Sequence, residues 1–283
     1  MAEKVMAIQM DKLIGFRNHP FQVKDDESLN ALCESIRDYG VLSPLLARPT
    51  AGGNYEIVSG HRRKAAAIKL GLEKLPVLVR EMTDDEAIIL MVDSNIQREN
   101  LLPSEKAYAY KMKLEALKHQ GARNDLTSCQ VGTKFRSDAL VASDTNESAR
   151  TIQRYIRLTY LQKPILDLVD EGRIAFSPAV EISYLTKLEQ AELWDIIQSE
   201  DCTPSLSQAV RMKKLSKIAQ LTPELIFDIM SEEKANQKER IRIDVGQLRK
   251  YFPKNYTTVQ MEKCILKMLE EQYKKKQRDK EVR

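Results

Sequence analysis

Apolar residues recur at helical spacing at Leu29, Leu32, Cys33 and Ile36 and stop at Gly40, which predicts a helix closed by a glycine cap. Val41 to Arg48 reads as a short strand, Gly52-Gly53-Asn54 as a turn, and Tyr55 to Ser59 as a second strand. After Gly60 the Ala, Lys and Leu content of Arg62 to Leu70 predicts a helix ended by Gly71, and Pro76 to Arg80 forms a third strand. These pieces describe a small α/β unit. From Thr83 onward the pattern is helical, with polar breaks near Gln120 to Asp125 and Ser231 to Arg240, and no internal repeat is visible. Ser148 is an N-cap residue ahead of an amphipathic helix with Ile152, Tyr155, Ile156 and Thr159 on its inner stripe. Pro164 to Trp194, with Ile165, Leu168, Val169, Ile174, Leu185 and Leu188, reads as helical core. Near the end, Ile241, Ile243 and Val245 alternate like a strand. Thr257 and Gln260 make a capping-box start for a helix striped with Met261, Cys264, Ile265, Met268 and Leu269. The predicted fold is α+β and mostly helical, in three parts: 1–100 (α/β), 101–230 (all-α) and 231–283 (a small β-α segment).

Of the 283 residues, 42% are apolar and 30% charged, enough to build cores and too charged for a membrane protein. No 18-residue apolar run occurs, and Glu3, Lys4 and Gln9 interrupt the start, so neither a membrane span nor a secretion signal is expected. Cys33, Cys129, Cys202 and Cys264 show no metal or disulfide spacing and are expected to be reduced thiols of a cytoplasmic protein. The net charge of +4 says little until it is divided: 1–100 carries −2, 101–160 carries +4, 161–233 carries −6 and 234–283 carries +8. Two basic segments could meet nucleic acid, and two could not.

Three stretches carry candidate chemistry. Ser59-Gly60-His61-Arg62-Arg63 lies where a strand turns into a helix, so backbone N–H groups, the helix dipole and two guanidinium groups could converge on a phosphate. The plain alternative is an ordinary turn with a solvated basic first turn. Asp93 to Asn100 is dense in groups that hold hydrated magnesium or a triphosphate, namely Asn95, Arg98 and Glu99, against the alternative of a polar helix end. In the basic segment, a helical stretch from Arg136 to Ala142, a turn at Asp144-Thr145-Asn146 and the helix capped by Ser148 have the layout of a helix-turn-helix. On the second helix Arg150, Gln153, Arg154 and Arg157 fall on one side, and Arg and Gln pair bidentately with guanine and adenine in the major groove. A solvated face is the alternative, but such faces usually mix signs. His19, His61 and His119 are too scattered to propose a metal triad or catalytic base.

In this order, the pieces resemble the ParB family of DNA-partition proteins, from Ile14 to about Leu193. LNALCESIRDYGVLSPLLARP is similar to the family's helix and following strand, and YEIVSGHRRKAAAIKLGLEKLPVLV to its glycine-arginine-arginine box. DSNIQRENLLPSEKAYAY is similar to its Asn-x-Gln-Arg box, and ESARTIQRYIRLTYL to its helix-turn-helix. The resemblance implies a sulfiredoxin-like N-terminal fold that binds CTP with Mg²⁺, a DNA-binding helical domain, and a C-terminal dimerisation segment, together a nucleotide-gated DNA clamp. By position it implies a nucleotide site at Gly60, His61, Arg62, Arg63, Asn95, Gln97 and Arg98, with Asn95 toward Mg²⁺, and DNA contacts from Ser148, Arg150, Gln153, Arg154 and Arg157. His61 and Ser94 stand where the family commonly has glutamate, which leaves binding in place and counts against CTP hydrolysis. The Phe21-Gln22-Val23 segment also departs from the family pattern, and these departures incline toward a plasmid or mobile-element type.

The expected partners are double-stranded DNA with a palindromic site, a second copy of the chain and a ParA-like ATPase, in a nucleoid-associated cytoplasmic setting without a membrane. Lys274, Lys275, Lys276 and Arg278 could touch DNA non-specifically or form a frayed, solvated end. Two other functions stay open. One is a helix-turn-helix transcriptional regulator without nucleotide binding, and the other a nucleotide-dependent phosphotransferase.

Overall fold

A computed structural model describes residues 4–98, 101–125, 141, 147–232, 245–253 and 255–281. Residues 1–232 form one compact unit and 233–283 a second.

The first unit opens on a five-stranded mixed sheet of β1 (Lys4–Gln9), β2 (Leu13–Ile14), β3 (Leu45–Pro49), β4 (Tyr55–Ser59) and β5 (Lys74–Val79), in the order β1-β5-β3-β4-β2. β1 pairs antiparallel with β5 and β3 with β4, whereas β3–β5 and β2–β4 are parallel. The expected strand over 41–48 starts only at Leu45, because Pro44 has no N–H to give a ladder. Adjacent residues of β4 serve opposite faces. Ile57 packs with Leu45, Leu75, Val77 and Ala67, and Val58 with Phe16, Phe21, Met91 and Val92, so the strand is buried on both sides.

α1 (Glu27–Tyr39) is capped by Asp26, whose carboxylate accepts from Leu29 N at 2.8 Å, and ends at Gly40 with φ +71°. α2 (His61–Lys69) sits between α1 and the sheet, with Ala67 on the sheet core and Ala66 on Leu29, Cys33 and Ile36. α3 (Asp84–Ile96) starts in a capping box of Thr83 and Glu86.

α4 (Pro103–Asp125) is a spine shared by three cores: Ala109 joins the α3 core, Ala107 the large helical core, and Tyr110 and Leu114 a cluster with Val141, Ile152 and Ile156. A helix buried on several sides shows no clean stripe. The expected break at Gln120 to Asp125 is instead continuous helix, since polar residues are not helix breakers and Gly121 alone costs only about 1 kcal/mol. α5 (Ala149–Leu158), α6 (Lys163–Asp170), α7 (Phe176–Ile182), α8 (Lys187–Glu200), α9 (Leu206–Lys217) and α10 (Pro223–Ser231) follow. Their core holds Leu158, Ile165, Ile182, Leu193, Ala209 and Ile226, all fully buried.

The second unit has α11 (Val245–Leu248) and α12 (Thr258–Glu281). The capping box is present, with Thr257 N donating to Gln260 Oε1 at 2.9 Å and Gln260 N to Thr257 Oγ1 at 3.3 Å. Met261 is buried, while Met268 and Leu269 are about half exposed beside a groove that also includes Tyr251, Phe252 and Tyr256. The strand expected over 241–245 lies outside the described residues except for Val245, which is helical. The basic tail continues α12 through Glu281.

Candidate functional site

Gly60 links β4 to α2 with φ +107°, and a Cβ there would lie 2.8 Å from Leu45 Cγ. Only glycine meets both conditions without strain. It has no side chain to cap α2, so the first-turn N–H groups face outward at the positive end of the helix dipole. Two hollows meet in front of this turn. One, of about 340 Å³, is lined by Gln22, Lys24, Asp26, Ser28, Arg62, Arg98, Leu101 and Glu105. The other, of about 580 Å³, is lined by Ser28, Ser59, Gly60, Arg62, Arg63, Ser94 and Arg98 among others. Ser28, Arg62 and Arg98 belong to both, so the hollows are continuous.

Arg62 Nη2 donates to Ser28 Oγ at 2.7 Å and lies 3.7 Å from Asp26 Oδ1. Partial burial and the nearby Arg62 charge lower the Arg98 pKa, opposed by Glu105. Two guanidinium groups that repel each other across a cavity form a site that an anion relieves. Arg63 has a different task, because its Nη1 donates to Ser43 O at 2.5 Å and Pro44 O at 2.7 Å and so holds the loop leading into β3. The carboxylates on the wall are engaged: Asp26 caps α1, and Glu105 accepts from Gln22 N at 2.7 Å and Leu102 N at 3.0 Å.

Gly60, Arg62, Arg63 and Arg98 therefore come together, and His61, Asn95 and Gln97 do not line the cavity. Asn95 is buried, with Nδ2 donating to Met91 O at 2.7 Å and Ser94 Oγ at 3.1 Å. Ser94 reaches the wall in its place. The residues present fit the phosphates of a nucleotide. They do not fit a magnesium ion held through Asn95, since Mg²⁺ takes carboxylate, phosphate and water oxygens and this amide is turned into the helix. Among the described residues, no three His, Cys, Asp or Glu side chains are grouped to hold a metal ion. Sequence reasoning missed Lys24, Ser28, Leu101 and Glu105 as wall residues. The only available signal was the polar run Lys24 to Ser28 ahead of α1.

Two of the three histidines meet in the fold, where His61 packs against His19 with ring centroids 3.9 Å apart. Phe16 N donates to His61 Nε2 at 3.4 Å, which requires that ring to be neutral, and His19 Nδ1 donates to Phe21 O at 2.7 Å. The remaining nitrogens, His61 Nδ1 and His19 Nε2, are enclosed without a partner. Burial, then the charges of His19, Lys64 and Arg98, lower the His61 pKa to about 3. The native state keeps this ring neutral, whereas the unfolded chain takes up a proton below a pKa of about 6.5. Stability should therefore fall as pH drops from 6.5 toward 3 and be insensitive to this group above that range. Between pH 7 and pH 5 the loss is at most about 2 kcal/mol, set by the interval between the unfolded pKa and pH 5. Urea denaturation of wild type and His61→Gln at both pH values checks this, and an equal acid dependence in the two proteins would refute it.

Ser148 caps α5 by accepting from Thr151 N at 3.1 Å, and Ile152, Ile156 and Leu158 bury its inner face. Ser148, Arg150 and Gln153 are exposed on the outside. Arg154 and Arg157 are not equally free. Arg154 Nη2 donates to Ser177 Oγ at 2.8 Å with its guanidinium over Phe176, and Arg157 Nη2 donates to Ser183 O at 2.8 Å. Of the helix expected before α5, only Val141 is described, helical and buried in the cluster with Ile152 and Ile156. The turn at 144–146 lies outside the described residues.

Residues 1–96 match the ParB N-terminal domain. The chain is 36% identical over 211 residues to the probable chromosome 1-partitioning protein ParB of Deinococcus radiodurans, covering 75% of this chain and 66% of that protein. It is 33% identical over 205 residues to the chromosome-partitioning protein Spo0J of Thermus thermophilus, covering 71% of this chain and 68% of that one. The chain belongs to the ParB family. It spans about two thirds of the length of these relatives. Among solved structures it is similar to C-terminally truncated ParB from Caulobacter crescentus complexed with CTP-γ-S, at 26% identity and TM-score 0.32, covering 69% of this chain and 99% of that one.

In this ParB chain, His61 and Ser94, the two positions expected to differ from the family's boxes, each have a definite structural place. His61 turns inward onto His19 instead of facing the cavity, and Ser94 stands on the cavity wall. Among the described residues, no helix is long and apolar enough to cross a membrane.

Proposed function

We propose that this ParB-family chain is a sequence-specific DNA-binding partition protein that binds a centromere-like palindromic site as a dimer. The observation that carries the reading is α5, a helix buried on one side whose opposite side presents Arg150 and Gln153 to solvent with no acidic residue in its sequence. Such a face suits the electronegative major groove. In this reading CTP sits with its phosphates at Gly60, Arg62 and Arg98 and acts as the latch of a DNA clamp, while Arg63 positions the loop beside it. The half-exposed stripe of α12 and its aromatic groove are the surface offered to a second copy, and a ParA-like ATPase and the nucleoid are the setting. A magnesium ion would arrive with the nucleotide, held by phosphate and water oxygens.

The reading is tested by recovering a duplex from a random pool with the purified protein and comparing it with a scrambled duplex. Gln153→Ala should lose about 1–3 kcal/mol of discrimination if the amide reads one base. Equal affinity of the wild type for both duplexes would overturn the function. The inward turn of His61 and Asn95 favours a second reading, a helix-turn-helix regulator that ignores nucleotide. Site-specific binding unaffected by CTP would select it.

A further inference from the structure

Beyond the recognition face of α5, the first unit carries an alternating series of cations and aromatic rings. Lys111 of α4 stands with its Nζ 5.8 Å from the ring centroid of Tyr160, the Arg157 guanidinium lies 4.4 Å from Tyr160 and 4.0 Å from Tyr184, and Lys213 of α9 lies 3.6 Å from Tyr184. Three helices and two turns contribute to one ladder. Tyr160 and Tyr184 are 49% and 44% exposed, so their hydroxyl groups are open to a ligand. Lys187 Nζ donates to Tyr160 O at 2.7 Å, which brings a further cation to the same edge. Among the described residues, Glu181 is the acid that pairs with the ladder, at 2.7 Å from Lys213.

The ladder is continuous with the recognition helix. Arg150, Gln153 and Arg157 are spaced three and four residues apart and so share one face, and Tyr160 follows in the turn after α5. A duplex held against Arg150 and Gln153 must carry its sugar–phosphate strand past the end of this stripe. There it would meet phenol hydroxyls and ammonium groups, which donate to phosphate oxygens without reading sequence. Arg157 is stacked between the two rings and hydrogen-bonded to Ser183 O, which presets the ledge instead of leaving flexible side chains to be ordered on binding.

We infer that the Lys111–Tyr160–Arg157–Tyr184–Lys213 ladder is a phosphate-contacting ledge that positions the DNA backbone beside the recognition helix. The inference rests on α5 being the recognition helix. Lys111→Gln and the double variant Tyr160→Phe, Tyr184→Phe keep the fold's packing and remove one charge or two hydroxyls. Affinity of the full chain is measured from 50 to 300 mM salt for a pool-selected duplex and a scrambled one, with thermal melting as the check on folding.

Lys111→Gln should lower the slope of log affinity against log salt by about 1 and weaken both duplexes alike. The double Phe variant should weaken both alike at unchanged melting temperature. If both variants bind with wild-type affinity and slope while Gln153→Ala loses discrimination, the ledge is overturned and the recognition helix stands. If Gln153→Ala changes nothing while the ledge variants weaken every duplex, the phosphate contact stands, but α5 loses its sequence-reading role and the ledge's place beside a recognition helix is overturned. If the wild type binds neither duplex, both fall.

Discussion

Gly60→Ala is expected to destabilise the first unit by about 2–4 kcal/mol, while Gly71→Ala costs only about 1 kcal/mol. Both glycines have positive φ, +107° and +69°, so both replacements carry the backbone penalty of an L-residue in the left-handed region. They differ in their surroundings. A Cβ at Gly71 meets nothing within 4 Å, whereas one at Gly60 lies 2.8 Å from Leu45 Cγ and 3.3 Å from Leu45 Cβ. Leu45 is fully buried between β4 and β5 and cannot retreat without disturbing Ile57 and Val77. The strain would move the first turn of α2, so the Gly60 variant should also weaken anion binding. Urea denaturation of the two variants decides the matter, and equal losses would show that the clash with Leu45 is relieved cheaply.

The second large effect concerns binding. Arg62→Ala should weaken CTP binding by about 2–4 kcal/mol, roughly thirty- to a thousandfold, because it removes a charge-assisted donor from a cavity arranged around two opposed guanidinium groups. Arg62→Lys should recover only part of this, since an ammonium group cannot donate in parallel to two phosphate oxygens. Calorimetric titration with CTP, ATP, GTP and UTP measures both variants. Arg63→Ala provides the contrast: its guanidinium holds Ser43 O and Pro44 O, so its loss should appear first in stability. Unchanged CTP affinity in Arg62→Ala would remove this residue from the phosphate site. Absence of binding by the wild type to any nucleotide would remove the latch from the proposed function.

Local chemistry was legible where a signal and its consequence lie within one turn of chain. Asp26 and Gly40 bound α1, Gly60 opens α2, Ser148 caps α5 and Thr257 with Gln260 starts α12, because caps and positive φ are satisfied by atoms a few residues away. The same locality made the order of the ParB boxes readable. It also misled at Gln120, where polarity suggested a break in a helix that continues. β1 escaped notice because it is an edge strand with Val5 exposed and Ile8 its buried residue, leaving too weak an alternation to see.

The sequence alone therefore determined most of the elements, the family and the glycine turn proposed to meet phosphate. The tertiary structure decided which of the candidate side chains are available. It placed Glu105 on Gln22 N, 83 positions away, turned His61 onto His19, and buried Asn95. It also committed Arg157 of α5 to Ser183 and Tyr184. The reason is physical. A guanidinium, an imidazole or an amide can serve a ligand or its own protein, and the choice depends on which acceptors and rings the fold brings within a few ångströms. Those neighbours come from distant parts of the chain, and spacing along the chain carries no record of them.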